Sequence, residues 1–224
     1  MSIAILTPTR QRPTALLDML GSIISYADSG AVKVYVGIDE DDQSYSDLFI
    51  DTPIFKRVVG PRQQLAGWTN DLARMAIEDG YSILASFGDD HRARTWAWDL
   101  RVIEAFDQMG SGLVYTRDGL QDERLPTAPF WSADIVRELG WFFPPVLRHL
   151  YADDAWLRFA RDIGRCTYLP DVLIEHLHPS ATGAEPDAIN VENDSHYGED
   201  RAAFEAFVAS DEYRDCVERV KAIL

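Results

Sequence analysis

The segment YSILASFGDDH, residues 81–91, decides how the fold of this chain is interpreted. Its first part, Tyr81 to Phe87, is a short apolar run typical of a buried strand, and the run ends abruptly at Gly88-Asp89-Asp90-His91. Adjacent carboxylates after a buried strand repel each other unless a cation or hydrogen-bond donors compensate. The segment therefore predicts either a divalent-metal site or an ordinary acidic turn.

Two earlier segments have the same organisation, an apolar strand followed by polar residues. Ser2 to Thr7 leads into a Thr-Pro-Thr-Arg turn, and Val32 to Ile38 ends at an acidic run that begins with Asp39. Helical spacing of apolar residues follows at 15–24 and 65–77. Strands that alternate with helices indicate a parallel α/β sheet, and such sheets bind ligands outside the carboxyl ends of their strands. We therefore expect a nucleotide-binding first half.

The second half of the chain continues this alternation. The predicted elements are helices at 96–109, 153–163, 202–207 and 212–224, and strands at 113–115, 129–131 and 172–178. Residues 180–200 are polar and contain few large apolar side chains. This composition predicts a mobile loop or lid.

Composition limits the class of protein. The chain has 224 residues, 46% of them hydrophobic, which suits one α/β domain with a sizeable core. It contains no apolar run of about 18 residues, and its first residues lack signal-peptide features, so we expect a cytoplasmic protein without a membrane span. A net charge of -16 disfavours extended nucleic acid as a partner, because such binding depends on Lys and Arg contacts to phosphates. A compact phosphorylated ligand needs only a local positive site or a cation.

Candidate metal ligands also occur late in the chain. His176 and His178 lie in the last predicted strand, where residues two apart share a face, so both side chains can point into one site. Imidazole combined with aspartate suits Mn²⁺ or a similar transition metal. The alternative is a pair of strand-end histidines bonded to backbone. His91, beside a turn, is expected to be solvated.

Two further positions have both a structural and a functional interpretation. Asp153-Asp154 opens a predicted helix, where an acidic residue is stabilised as a cap. A second acid in this place can instead face the cleft as a general base. Arg62 follows Gly60-Pro61 and precedes a helix, so its guanidinium can meet a phosphate or a base, or can lie on the surface.

The order of these features resembles a known family. The matching segments are residues 5–10 (ILTPTR), Asp39, Arg62, Asn70, Asp89-Asp90, residues 151–157 (YADDAWL) and residues 175–179 (EHLHP). Together they resemble family 2 glycosyltransferases of the GT-A fold, over roughly residues 3–180. Two positions depart from the family pattern: Gly88 stands where the first acid of an Asp-x-Asp triplet is frequent, and Arg10 where Asn or Asp is common.

The resemblance implies a fold and a division of the chain. The fold is an α/β, Rossmann-like GT-A domain with a central, mostly parallel sheet flanked by helices. Residues 1–180 would form the GT-A domain. Residues 181–224 would form a lid-like loop and C-terminal helices packed on the same domain.

The resemblance also implies a site and a reaction. A sugar would move from a nucleoside-diphosphate donor, with a UDP-sugar as the first expectation, to an unidentified hydroxyl acceptor with inversion. Asp154 would be the general base, and Mn²⁺ or Mg²⁺ would be held by Asp90 with His176 or His178. The residues implied to contact the donor are Thr7, Pro8, Thr9, Arg10, Asp39, Arg62, Asn70 and Asp89.

Other functions compete with this interpretation. A GT-A-like nucleotidyltransferase usually opens with a Gly-rich loop, and residues 7–13 contain no glycine. A non-catalytic nucleotide-sugar-binding protein needs no base, and an Asp/His metal hydrolase would cleave phosphate esters without a sugar donor. The acceptor stays open as well. The aromatic residues near the base either stack on a sugar or form core: Trp131, Trp141, Phe142, Phe143 and Trp156.

Overall fold

Strands and helices alternate along most of the chain, as the hydrophobic pattern predicts. The computed structural model describes residues 1–48 and 52–224. Its strands are β1 (Ile3–Thr9), β2 (Val32–Asp39), β3 (Phe55–Gly60), β4 (Ile83–Ser86), β5 (His91–Ala93), β6 (Leu113–Arg117), β7 (Pro129–Ser132) and β8 (Cys166–His176). Its helices are α1 (Pro13–Tyr26), α2 (Leu65–Glu78), α3 (Trp98–Met109), α4 (Ala133–Leu139), α5 (Ala152–Ile163), α6 (Pro179–Thr182), α7 (Ala188–Asp194), α8 (Tyr197–Ala209) and α9 (Asp211–Ile223).

The strands form a mostly parallel sheet in the order β3-β2-β1-β4-β7-β6-β8-β5. The neighbours β3, β2, β1 and β4 run parallel, and so do β6 and β8. β7 is antiparallel to both β4 and β6, and β5 is antiparallel to β8. The carboxyl ends of β1, β2, β3 and β4 therefore meet at one edge of the sheet, as expected from the sequence.

Two apolar layers cover the two faces of the sheet. Ile3 and Ile5 of β1 pack in the layer that contains α1 and α3, whereas Ala4 and Leu6 pack in the layer that contains α2, α5 and α9. Side chains alternate across a strand, so a strand covered on both faces needs an apolar residue at every position. This arrangement explains the continuous apolar run at the start of the chain.

The C-terminal helices belong to one of these layers. Phe207 of α8 and Tyr213 of α9 meet edge to face with ring centroids 5.4 Å apart, and Tyr213 lies 5.9 Å from Phe159 of α5. The last part of the chain thus shares its core with the sheet. None of the helices within residues 1–48 and 52–224 combines the length and the apolar character that a membrane crossing requires.

The segment 180–200, for which composition predicts a mobile loop or lid, is largely helical. It contains the end of α6, all of α7 and the start of α8. A capping box begins α7: Asp187 accepts the Asn190 backbone N–H at 2.9 Å, and Asn190 Oδ1 accepts the Asp187 N–H at 3.1 Å. Short polar helices have no apolar stripe, which is the feature that periodicity detects.

The last strand also differs from its prediction. β8 begins at Cys166 and ends at His176, whereas the apolar pattern predicts residues 172–178. Exposed Pro170 and Asp171 interrupt the apolar pattern in the middle of the strand. The first part of β8 pairs with β6 and its last part with β5, which the sequence did not predict.

The aromatic residues near the expected base form core. Trp131, Phe142, Phe143 and Trp156 are all at most 4% exposed, and Trp141 packs against the same cluster. The indole N–H of Trp156 donates to the Phe142 carbonyl at 2.9 Å. Their arrangement favours the structural interpretation over sugar stacking.

Candidate active site

The first part of the site is a hydrogen-bonded network at the carboxyl ends of β1, β2 and β4, here called the carboxyl edge. Thr9 donates its hydroxyl to Asp89 Oδ2 at 2.6 Å and also contacts the Tyr45 hydroxyl at 2.7 Å. Asp89 is only 5% exposed, and this burial raises its pKa to about 6 although Thr9 and Arg12 favour the ionised form. Its carboxyl group is thereby fixed in place.

Asp39 is held at the same edge by two short hydrogen bonds, in addition to a longer one of 3.4 Å from the Gln63 backbone N–H. The Trp68 indole N–H donates to Asp39 Oδ1 at 2.6 Å, and Arg10 Nη1 donates to Oδ2 at 2.9 Å. Trp68 reaches this position by lying against Gly37, where a Cβ atom would come within 2.7 Å of the indole ring. Arg10 also makes a bidentate contact with Asp41 at 2.6 and 3.0 Å.

Arg12 and Arg62 join the carboxyl edge to α7. Arg12 Nη1 donates to Asp89 at 3.3 Å, while its Nε and Nη2 donate to Asp187, each at 2.7 Å. Arg62 Nη2 donates to Glu192 at 2.5 Å, and its Nε lies 3.9 Å from Asp39 Oδ2. The sequence pattern by itself does not single out Arg12. Its position directly before Pro13 and α1, beside the predicted turn, was the available signal.

The second part of the site is a metal-cluster candidate made of Asp90, His91 and His176, whose ligand atoms all lie within 4.8 Å of one another. His91 of β5 is the register partner of His176 of β8, and their rings stack with centroids 4.3 Å apart. Cross-strand pairing therefore builds the cluster. His91 is 3% exposed, so the expectation that it is solvated is wrong.

The cluster has the chemistry of a transition-metal site. His176 Nε2 lies 3.4 Å from Asp90 Oδ2, and its Nδ1 lies 4.0 Å from Asp118 Oδ2. Two buried ring nitrogens, His91 Nε2 and His176 Nδ1, have no hydrogen-bond partner among residues 1–48 and 52–224. One carboxylate with imidazole nitrogens is a donor set that suits Mn²⁺ and similar ions, so these residues fit a divalent metal.

The contact between Asp90 and His176 shifts the pKa values of the two groups in opposite directions. Burial opposes ionisation of Asp90, but contacts with His176 and His91 keep its pKa well below the usual range. Burial likewise lowers the pKa of His176, but the hydrogen bond and charge of Asp90 outweigh it and raise the pKa overall. The pair therefore behaves as a carboxylate and an imidazole that attract each other.

Gly88 is required by the position of Asp90. A Cβ atom at residue 88 would collide with Asp90 Oδ1 and lie 3.2 Å from His91 Nδ1. The backbone N–H of Gly88 also donates to His91 Nδ1 at 3.0 Å. A side chain in this position would therefore crowd Asp90 and His91.

Three residues expected at the site have other surroundings. His178 lies beyond the end of β8 and caps α6, where its Nδ1 accepts the Ser180 N–H at 3.2 Å. It is outside the cluster because the strand that would align it with His176 ends first.

Asn70 and Thr7 likewise do not line the edge. Asn70 accepts the N–H groups of Phe142 and Phe143, each at 2.8 Å, and donates to the Phe143 carbonyl at 2.9 Å, so its amide holds a loop. Thr7 is 0% exposed, and its hydroxyl finds no hydrogen-bond partner in the described part of the chain. Pro8, in the same strand, is half-buried. The expected nucleotide contacts of Asn70 and Thr7 are disfavoured by these positions.

Asp153 and Asp154 lie half-buried in the first turn of α5. Burial raises the pKa of Asp153 to about 7, with His176 lowering it and Asp154 and Asp118 raising it. Burial also raises the pKa of Asp154. The charges that act on Asp153 belong to the metal-cluster region, so this residue, which sequence analysis treated as a cap, is a second acid to test.

A buried carboxylate orders the loop before α5. Asp200 of α8 is 1% exposed and accepts the backbone N–H groups of Arg148, His149 and Leu150 at 2.7–2.9 Å. Burial lowers the pKa of His149 to about 4, so its imidazole is neutral near pH 7. Neither Asp200 nor His149 stands out in the sequence, because the residues that contact each other lie about 50 positions apart along the chain.

Comparisons with solved structures identify the fold. A mannosyltransferase from Pyrobaculum calidifontis, solved with GDP-Man and Mn²⁺, superposes with a TM-score of 0.67 at 12% identity over 98% of this chain and 68% of that chain. TarS 1-349 from S. aureus, solved with UDP, superposes with a TM-score of 0.63 at 13% identity over 94% of this chain and 67% of that chain. The same protein without UDP gives 0.60 at 14% identity over 81% and 62%.

The chain therefore has a GT-A-type glycosyltransferase fold. It spans at most about two thirds of the length of these solved chains. No protein-family model matches the sequence, and neither does any curated protein. At these identities the likeness shows the fold only, so function has to be inferred from the residues of the site.

Proposed function

We propose that this protein is a metal-dependent, inverting glycosyltransferase that uses a nucleoside-diphosphate sugar. The observation that carries the proposal is the convergence of the carboxyl edge and the Asp90–His176 pair on a GT-A-type fold. Solved neighbours carry UDP, UDP-GlcNAc, or GDP-Man with Mn²⁺, so these are the first donors to test. The hydroxyl acceptor is unassigned.

Asp90 and His176 are the proposed metal ligands. Their facing atoms, Oδ2 and Nε2, lie 3.4 Å apart, and Asp118 lies behind His176 on the Nδ1 side. Asp118 Oδ2 lies 4.0 Å from Nδ1, beyond hydrogen-bond distance, so it acts on the ring through its charge. When bound, Mn²⁺ or Mg²⁺ supplies the positive charge that the leaving nucleoside diphosphate requires.

The carboxyl edge is the proposed nucleotide site. Asp39 and Asp89 are its proposed contacts for the base and ribose, and the guanidinium of Arg62 is its proposed contact for the diphosphate. Thr9 and Arg10 act through these residues, because Thr9 bonds Asp89 and Arg10 bonds Asp39. The Thr9–Asp89 and Arg10–Asp39 bonds already hold the two carboxylates in place, so these carboxylates need little reorganisation when a ligand arrives.

The proposed general base is Asp154. It would take the proton of the acceptor hydroxyl as that oxygen attacks the anomeric carbon and the bond to the diphosphate oxygen breaks. In-line attack on the face opposite the leaving group inverts the anomeric configuration. Asp153 is the adjacent acid, and the experiments below separate the two.

Release of nucleoside diphosphate tests this function. The protein is incubated with UDP-GlcNAc, UDP-glucose and GDP-mannose, each with Mn²⁺ and with EDTA, and the freed UDP or GDP is quantified. We expect slow, Mn²⁺-dependent hydrolysis of at least one donor, absent in Asp90→Asn. Donor binding without hydrolysis would indicate a non-catalytic binding protein, and cleavage of simple phosphate esters would indicate a metal hydrolase.

A further inference from the structure

Two arginines of the carboxyl edge, which could bind a diphosphate, are ion-paired with acids of α7. Arg12 and Arg62 are the arginines of the edge that reach across to α7, and each holds one of its acids, Asp187 or Glu192. Arg10 is occupied within the edge by Asp39 and Asp41. The carboxylates of α7 thus occupy the positions beside Arg12 and Arg62 that the oxygens of an anionic ligand would take.

Arg12 has little hydrogen-bonding capacity left in this arrangement. Its Nε and Nη2 donate to the two oxygens of Asp187, Nη2 also donates to Asn190 at 3.1 Å, and Nη1 donates to Asp89. A guanidinium has donors only on these three nitrogens. Arg12 therefore cannot bind a phosphate by its bidentate face without releasing α7.

The contact is organised by α7 itself. Asp187 and Asn190, the partners of Arg12, are also the two members of the capping box that begins this helix. The helix therefore presents a carboxylate and an amide oxygen to one guanidinium in a fixed geometry. Bidentate, preorganised pairs of this kind exceed ordinary surface ion pairs in strength.

We infer that Arg12 is a further binding residue for the donor diphosphate, and that α7 covers Arg12 and Arg62 in the free protein as an internal anion that the donor displaces. The inference rests on the proposed function, because it takes a nucleoside diphosphate as the ligand. Binding then exchanges the Asp187 and Glu192 carboxylates for phosphate oxygens. Their departure also removes two negative charges from beside the incoming diphosphate.

The test measures affinity for a nucleoside diphosphate in a variant without the two acids. Asp187→Asn/Glu192→Gln removes both charges, while Asn retains the capping oxygen that begins α7. UDP and GDP are titrated with Mn²⁺ by calorimetry, and the nucleotide that binds wild type more tightly is used throughout. We expect the variant to bind it about three- to tenfold more tightly, because less of the protein is held in a closed state.

Two controls separate displacement from general electrostatics. Glu185→Gln/Asp194→Asn removes two charges from the same segment, at residues that make no ion pair with any residue in the described ranges. Its affinity should stay within about twofold of wild type. Arg12→Gln should cost more affinity in the Asp187→Asn/Glu192→Gln background than in wild type, where the arginine is already engaged.

The outcomes are distinct. Equal affinity in wild type and Asp187→Asn/Glu192→Gln would overturn the inference while leaving the proposed function intact. Weaker binding by the variant would also overturn it, because α7 would then be closing over the donor together with Arg12. If neither UDP nor GDP binds wild type or any variant, the proposed function itself fails.

Discussion

The carboxyl edge and the metal cluster are neighbours, but their polar groups are treated in opposite ways. At the edge, Asp39 and Asp89 are buried and both accept hydrogen bonds from fixed donors. In the cluster, two buried ring nitrogens of His91 and His176 have no partner within the described residues. Unpartnered buried polar groups are costly, so the protein's own described groups do not fully satisfy the cluster. The carboxylates of the edge thus have their hydrogen bonds formed, whereas the cluster retains buried ring nitrogens without a partner among the described residues.

The largest effect is expected where the reaction itself needs a group. Asp154→Asn should lower donor turnover, with water as the acceptor, about 10²- to 10⁴-fold, because the amide cannot take the acceptor proton, while donor affinity is kept. Rates are measured with the donor identified by hydrolysis, and Asp107→Asn on the exposed surface of α3 is the matched control.

Asp153, the adjacent acid, is the alternative general base, and a second variant tests it. A greater loss in Asp153→Asn than in Asp154→Asn would move the role of base to Asp153. Transfer falls as the pH drops through the pKa of the base, so a midpoint near pH 7, the pKa that burial gives Asp153, would support the same reassignment.

The second-largest effect is expected at the metal cluster. Asp90→Asn should reduce Mn²⁺ affinity and lower Mn²⁺-dependent donor turnover about 10²- to 10³-fold, because the site loses its carboxylate ligand. Mn²⁺ binding is measured by titration calorimetry alongside turnover. Glu175→Gln, one residue before His176 and ion-paired with Arg94 at 2.8 Å, should change neither quantity. Unchanged Mn²⁺ affinity in Asp90→Asn would place the metal elsewhere.

Gly88 tests whether the shape of the cluster matters as well as its ligands. Gly88→Ala should weaken Mn²⁺ binding about tenfold, because the added Cβ pushes against Asp90 Oδ1 without removing any donor. Gly198→Ala is the control, since nothing in the described structure lies within 4 Å of a Cβ at that position. Equal Mn²⁺ affinity for both variants would show that Asp90 accommodates the extra methyl group.

At the carboxyl edge, the expected effect of a substitution is a lower free energy of unfolding. Trp68→Phe removes the donor of the 2.6 Å bond to buried Asp39, so the free energy of unfolding should fall by about 1–3 kcal/mol. Urea denaturation measures this change. Trp96→Phe is the control, because Trp96 is 62% exposed and should cost under about 0.5 kcal/mol. Equal stability of the two variants would mean that Asp39 is satisfied by its remaining donors.

The same comparison shows what sequence could and could not predict. The edge follows from local pattern: apolar strands that end at or shortly before Thr9, Asp39 and Asp89 bring these residues to one side of a parallel sheet. The pairing of His91 with His176 depends on β5 and on the end of β8, which join residues 85 positions apart. Period-two spacing favoured His178 equally with His176, and only the end of the strand separates them.

Residues that act through distant partners were also beyond the sequence pattern. Arg12 contacts Asp187, and Asp200 orders the loop at 148–150, so neither role has a local signature. Asn70 shows the reverse, because the resemblance implies a nucleotide contact, whereas its observed bonds are to the backbone of Phe142 and Phe143. Periodicity detects apolar faces and is silent on polar pairs between distant segments.

The central claim is that a nucleoside diphosphate and a divalent metal complete one site together. Thermal unfolding of the wild-type protein is followed with UDP and with GDP, each in Mn²⁺ and in EDTA. A nucleotide at about 100 times its Kd should raise the Tm by about 5–10 °C in Mn²⁺ and by far less in EDTA. An equal rise in EDTA, or no rise with either nucleotide, would contradict the claim.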